Sequence, residues 1–305
     1  MGKVAFVFPG QGAQYPGMGQ SLCAISPAAA EVFCLADSIR PGTSAQCFSG
    51  TEAELKETKI TQPCLWAVEM AAAAALNEAG IRADVTAGFS LGELSALSYA
   101  SVVDMSTCYR LVCRRGELMQ RAAEAVEASM AAVVKLSNET VEEICARFDG
   151  VYPVNYNCPG QVTVAGLKSA MAAFSAAVRE AKGRALPLKV SGGFHSPFMA
   201  GASAEFGRLL ESVDFQTPSI PLYSNLTGLP YEGDCKHLLA KQICSPVRWE
   251  AIIRNMIDAG VDIFIEVGPG SVLQGLISKI DKNVRVFGVS DGESLESTIT
   301  EVKSC

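Results

Sequence analysis

Val85-Thr86-Ala87-Gly88-Phe89-Ser90-Leu91-Gly92-Glu93 reads as a short β-rich run that closes on a glycine and passes, through one tight turn, into a helix. The turn fits G-x-S-x-G. Its glycines permit the sharp bend that lifts a serine hydroxyl clear of the backbone, and the N–H of Leu91 at the helix start can face a developing negative charge. Ser90 is therefore a candidate nucleophile; a plain strand-turn-helix junction is the competing reading.

Outward from this junction, β-rich runs bounded by Gly or Pro alternate with Ala- and Leu-rich stretches: Val4 to Phe8, Ala67 to Gly80, Val85 to Gly88, Glu93 to Met119. That alternation predicts an α/β fold with a parallel sheet. The middle of the chain breaks the pattern. Met130 to Leu136 predicts a strand, Ser137 caps a helix carrying Val141, Ile144 and Phe148, and two strands, Val151 to Asn157 and Val162 to Ala165, flank the turn Cys158-Pro159-Gly160. A helix with Met171, Phe174 and Val178 on one face and a strand over Leu186 to Ser191 follow. The order βαββαβ is that of a ferredoxin-like subdomain. The α/β pattern then resumes with a strand at Pro221 to Ser224, a helix at Glu250 to Ala259, a buried strand at Val261 to Val267, and a helix at Ser271 to Ile280.

A serine nucleophile needs a base, and the chain has two histidines. His195 sits in the glycine-flanked loop Ser191-Gly192-Gly193-Phe194-His195-Ser196-Pro197, whereas His237 lies among Asp234, Lys236 and Leu238 on a surface helix. His195 is the better candidate. The group that would orient it is not visible: Asp104 and Asp149 fall between Ser90 and His195 without obvious access, and a backbone carbonyl is the alternative. Gly10-Gln11-Gly12-Ala13-Gln14 follows the first strand, so its amides could supply a second oxyanion donor; a nucleotide loop would need glycine where Tyr15 stands. One of Arg114 and Arg115, on an apolar helix, should point inward, where it wants a carboxylate or a phosphate, or makes a structural ion pair.

Composition bounds the rest. Of 305 residues, 49% are hydrophobic and 19% charged, which excludes low-complexity disorder and suits one large domain or a large one carrying a smaller one. With 25 Lys and Arg against 32 Asp and Glu the net charge is −7, so nucleic acid and anionic membranes are not expected partners. Stretches such as Met70 to Leu76 fall far short of the roughly 20 apolar residues that span a bilayer. The start Met1 to Pro9 reads as a strand rather than a signal peptide, and Phe6 breaks the myristoylation pattern, so a soluble cytoplasmic protein is expected. Eleven cysteines without a C-x-x-C pair predict no zinc site; most read as small buried hydrophobes, Cys158 included.

Six blocks in order carry a resemblance: Phe8 to Gln14, Gly88 to Glu93, Arg115 to Met119, Asn155 to Gln161, Phe194-His195, and Glu266-Val267-Gly268-Pro269-Gly270. Together they resemble the malonyl-CoA:acyl-carrier-protein transacylases of fatty-acid or polyketide synthesis. The resemblance implies an α/β-hydrolase-like core (1–127 and 192–305) interrupted by the ferredoxin-like subdomain (128–191). It also implies that Ser90 carries the acyl group, His195 is the acid/base, the amides of Gln11 and Leu91 form the oxyanion hole, and Arg115 pairs with the malonyl carboxylate. Phe194, Phe89 and Asn157 would line the pocket, and a carbonyl at or near Arg248 would orient His195. The family's usual His before the nucleophile is Phe89 here, and the usual residue before Phe194 is absent. Implied substrates are malonyl-CoA and the phosphopantetheine arm of holo acyl carrier protein, with no bound cofactor or metal and a monomeric enzyme. Arg179, Lys182, Arg184 and Lys189 form a candidate basic face for the acidic carrier. A serine acyl hydrolase and a non-catalytic carrier-binding module are the alternatives; the retained Arg115 argues against the first, and the complete set of site residues against the second.

Overall fold

The computed structural model describes residues 2–190, 192–233 and 235–304. Met1, Ser191, Asp234 and Cys305 lie outside the described residues, and with Ser191 the end of one expected strand.

In chain order the elements are β1 (Lys3–Phe8), α1 (Gln20–Ile25), α2 (Pro27–Ile39), α3 (Thr43–Ser49), α4 (Thr58–Glu78), β2 (Val85–Gly88), α5 (Gly92–Tyr99) and α6 (Met105–Glu124). Then come β3 (Ala128–Val134), α7 (Asn138–Cys145), β4 (Val151–Cys158), β5 (Gln161–Leu167), α8 (Lys168–Glu180) and β6 (Arg184–Pro187). The remainder is α9 (Ala200–Glu211), β7 (Leu222–Tyr223), α10 (Cys235–Gln242), α11 (Trp249–Asp258), β8 (Val261–Val267), α12 (Val272–Ile280), β9 (Arg285–Val289) and α13 (Gly292–Lys303).

Five strands form a parallel sheet in the order β7-β2-β1-β8-β9. Its central strand is buried on both faces, as parallel sheets require. Val4, Phe6 and Phe8 pack into a core built around α4, while Ala5 and Val7 turn to the opposite face against Trp249, Ile253 and Leu276 of α11 and α12. Phe8 pairs with Gly88 and Val7 with Glu266, so β1, β2 and β8 end level. The loops after them therefore share one edge, where ligand sites of such sheets lie.

The other sheet is antiparallel, order β4-β5-β3-β6, with α7 and α8 packed on it around Val141, Val162 and Phe174. This is the strand order of a ferredoxin-like unit. Tyr156 N donates to Val247 O and Val247 N to Val154 O, both at 2.9 Å, which ties β4 to the segment leading into α11. Ser137 caps α7 by accepting from Thr140 N, as expected.

Several boundaries differ from expectation: α7 stops at Cys145, so Phe148 follows the helix rather than ending it, and three differences are larger. The helix expected from Ala67 begins at Thr58, because Pro63 falls in its second turn; it costs one hydrogen bond, and sixteen of the 21 residues of α4 are buried. The stretch Glu93 to Met119 is two helices. Ser101, at φ 57°, ends the first, and Asp104 caps the second through Thr107 N at 2.9 Å. The strand expected over Leu186 to Ser191 runs from Arg184 to Pro187, since beyond Leu188 N, which donates to Met130 O, the chain peels away and Val190 joins the wall of a cavity.

Candidate active site

Ser90 sits where β2 meets α5, at φ 55°, a left-handed conformation rare for a non-glycine residue. The flanking glycines make this possible. A Cβ on Gly88 would run into the main chain of Gly92, and one on Gly92 into the carbonyl of Phe8. The loop after β7 fixes the bend from the other side: Asn225 Oδ1 accepts from Ser90 N at 2.7 Å, and Asn225 Nδ2 donates to Gly88 O at 2.6 Å.

The loop after β6 brings in His195, itself left-handed at φ 60° and 4% exposed. Its Nε2 lies 2.6 Å from Ser90 Oγ, and its Nδ1 lies 2.9 Å from the main-chain oxygen of Gln242. A carbonyl can only accept, so Nδ1 carries the proton and Nε2 is free to receive one from the serine. The carbonyl for this role is expected at or near Arg248; that of Arg248 itself is taken by Ile252 N at 3.0 Å in the first turn of α11. The orienting carbonyl is that of Gln242, the last residue of α10, where helix carbonyls lack intrahelical partners. Burial, followed by the charge of Arg115, lowers the His195 pKa to about 4.

Of the two candidate arginines, Arg115 turns inward and is fully buried, while Arg114 pairs with Glu117 at the surface. Arg115 donates to Gln62 Oε1 at 2.9 Å, to Gln242 Oε1 at 2.8 Å and to Ser90 Oγ at 3.3 Å. Its Nε has no hydrogen-bond partner among the described residues. Burial lowers its pKa to about 10, which leaves it a cation at neutral pH.

Gln242 gathers the site. Besides holding His195 and Arg115, its Nε2 donates to Ser90 O at 2.6 Å and to Glu93 Oε2 at 2.8 Å. Glu93, fully buried on α5, also accepts from Tyr231 Oη at 2.5 Å and Asn225 N at 3.1 Å. Burial outweighs these bonds and raises its pKa to about 7. Gln62, Glu93, Asn225 and Gln242 have no role in the sequence reading; Glu93 stands inside a quoted block, but the others lie far from any motif.

A cavity of about 90 Å³ opens on Ser90 Oγ, walled by Gln11, Gln62, Met119, Phe194 and His195. A second, of about 230 Å³, shares Gln11, Phe89, Asn155 and Leu188 with it and runs outward past Asn157 and Val272. The main-chain N–H groups of Gln11 and Leu91 donate to no other group among the described residues, and both residues line the inner cavity. Phe89 packs edge-on against Trp249, ring centres 5.5 Å apart. His237 lies on α10 and lines neither cavity. Cys158 is buried, and burial pushes its thiol pKa up. Arg179, Lys182, Arg184 and Lys189 are exposed, at the end of α8, at the start of β6 and just beyond its end. No helix among the described residues is long and apolar enough to cross a membrane.

Residues 5–298 match the acyl transferase domain family. The chain is 38% identical to the malonyl CoA-acyl carrier protein transacylase of Bacillus subtilis (strain 168), over 99% of this chain and 98% of that protein. Identity to the protein of the same name from Synechocystis is also 38%, covering 95% and 98%. In three dimensions the chain resembles the Clostridium perfringens transacylase, with a TM-score of 0.95, 34% identity and coverage of 99% and 98%. It resembles equally a malonyl-transacylase solved in complex with a holo type II PKS acyl-carrier protein, with a TM-score of 0.94, 35% identity and coverage of 98% and 99%.

Proposed function

The chain belongs to the acyl transferase domain family, among its malonyl CoA-acyl carrier protein transacylases, and from that membership we propose that it moves malonyl groups from malonyl-CoA to the phosphopantetheine thiol of holo acyl carrier protein, through a malonyl ester on Ser90. The observation that carries this reading is Arg115: a fully buried cation whose guanidinium reaches the nucleophile at 3.3 Å in a small cavity. A dicarboxylic half-thioester offers that guanidinium a carboxylate in direct contact, and an acetyl group offers it none.

The steps follow from the hydrogen bonds. Ser90 Oγ–H gives its proton to His195 Nε2 as the oxygen attacks the thioester carbonyl. The N–H groups of Gln11 and Leu91 hold the oxyanion, and His195 returns the proton to the departing CoA sulfur. In the second half-reaction the carrier's thiol attacks malonyl-O-Ser90, with His195 acting in reverse, so transfer is ping-pong. Phe194, 7% exposed on the inner cavity, would crowd a branched acyl group. The pantetheine arm would lie in the outer cavity. There the Oδ1 atoms of Asn155 and Asn157 are buried without a partner among the described residues, and Asn157 Nδ2 is already held by Thr163 Oγ1 at 3.1 Å, so each oxygen is available to a ligand amide N–H. The carrier itself would dock on the face bearing Arg179, Lys182, Arg184 and Lys189, whose neighbour Leu188 lines both cavities.

Intact mass after brief exposure to malonyl-CoA or acetyl-CoA tests the proposal. A malonyl adduct absent from Ser90→Ala, and discharged by holo carrier protein, is expected. No adduct, or equal acetyl and malonyl adducts that water discharges, would favour a serine hydrolase.

A further inference from the structure

Arg115 is buried with no carboxylate in contact among the described residues. Its donors meet two neutral amide oxygens and the serine hydroxyl. The nearest carboxylate along the hydrogen-bond network is Glu93, one side chain away: the Gln242 amide accepts from Arg115 through Oε1 and donates to Glu93 Oε2 through Nε2. Two fully buried opposite charges thus share a single amide, and in the empty site they balance.

Resting on the function proposed above, we propose that Glu93 is the counter-charge of Arg115 in the free enzyme and takes up a proton when a malonyl carboxylate occupies the acyl pocket, so that acylation of Ser90 carries a proton into the site. The substrate carboxylate pairs directly with Arg115, and the closed pocket then holds one cation and two anions. Protonating one anion removes the excess charge at low dielectric. The substrate carboxylate has the guanidinium, so the proton goes to Glu93. The surroundings accommodate the neutral acid. Tyr231, which donates to Glu93 Oε1, also interacts with Ser224, so its hydroxyl can turn there and accept from the new O–H. Burial already raises Glu93 to about 7, within reach of such a change.

Other groups around α5 do not substitute. His195 is held low beside Arg115, Glu69 of α4 meets the helix at Ser95, and the Cys108 thiol, raised to about 12, donates to Leu94 O. Cys235 lies beyond Tyr231. The transfer itself is proton-neutral below the pKa of the CoA thiol, because the serine proton leaves on sulfur.

The test mixes enzyme with malonyl-CoA in weak buffer containing a pH indicator, with adduct counted by intact mass. Near pH 7.5, most of one proton should be taken up per adduct, falling toward none below about pH 6, where Glu93 is protonated in both states. Glu93→Gln should form adduct without uptake. Tyr231→Phe, which removes a donor to the carboxylate, should move the uptake profile up by about one pH unit. Adduct without uptake in the wild type overturns the inference alone. Uptake unchanged in both variants assigns the proton to a group other than Glu93 and overturns it too. No adduct at any pH overturns the proposed function and this inference together.

Discussion

The main-chain oxygen of Gln242 accepts from His195 Nδ1 at 2.9 Å, in the place where a hydrolase triad would put a carboxylate. A carbonyl fixes the tautomer without adding charge. It also survives any change of side chain, which separates the two tasks of Gln242. Gln242→Ala should leave His195 in place while releasing Arg115, Glu93 and the carbonyl of Ser90. A fall of about 10- to 100-fold in kcat/KM for malonyl-CoA is expected, on the scale of hydrogen bonds to charged groups. Steady-state kinetics with the carrier saturating would check it.

The pH dependence follows from the same histidine. His195 must be neutral to accept the serine proton, and burial together with Arg115 holds its pKa at about 4. The base form is therefore present throughout the neutral range and lost only as pH falls through that value. The acid limb of kcat/KM for malonyl-CoA should appear near pH 4. In Arg115→Ala, with the neighbouring cation gone, the limb should move upward. A limb that stays put would show that the arginine charge does not reach His195.

Arg115→Ala also bears on selectivity. The variant loses the bonds available to a substrate carboxylate and leaves Glu93 without its counter-charge. Malonyl transfer should drop by about 10²-fold or more, corresponding to about 3 kcal/mol, while transfer of an acetyl group changes far less. Competition between malonyl-CoA and acetyl-CoA, read by intact mass, measures the ratio.

The elbow depends on its glycines. A Cβ at Gly88 meets the backbone of Gly92 rather than a side chain that could swing aside, and at Gly92 it meets the carbonyl of Phe8. Gly92→Ala should destabilise the fold by about 3 kcal/mol or abolish it. Gly12→Ala is the control. Its φ of 114° is strained for alanine, but nothing lies within 4 Å, so its cost should be limited to about 1–2 kcal/mol. Thermal unfolding separates the two.

Charge reversal on the exposed basic face offers a test of carrier docking. Lys182→Glu with Arg184→Glu should raise KM for the carrier protein several-fold and leave that for malonyl-CoA unchanged, with the difference shrinking as salt rises. Equal KM values for variant and wild type would place docking elsewhere.

The α/β class, the βαββαβ order of the inserted strands, the cap at Ser137 and the full span of β8 were legible in the residues, because periodicity and turn chemistry act over a few neighbours. G-x-S-x-G is equally local: its glycines are required by contacts within a few residues and by one adjacent strand. With two histidines in the chain, elimination left His195, and the structure sets its Nε2 2.6 Å from Ser90 Oγ. What the sequence could not yield is whatever depends on partners far along the chain. Gln62 and Gln242 meet Arg115 across 53 and 127 residues, and nothing about a glutamine in a helix announces this. The carbonyl that orients His195 is the plainest case, expected at or near Arg248 and found at Gln242, six residues before it. Every residue carries the same backbone oxygen, so side-chain identity holds no record of which one will face the imidazole; the packing of α10 against the His195 loop decides it.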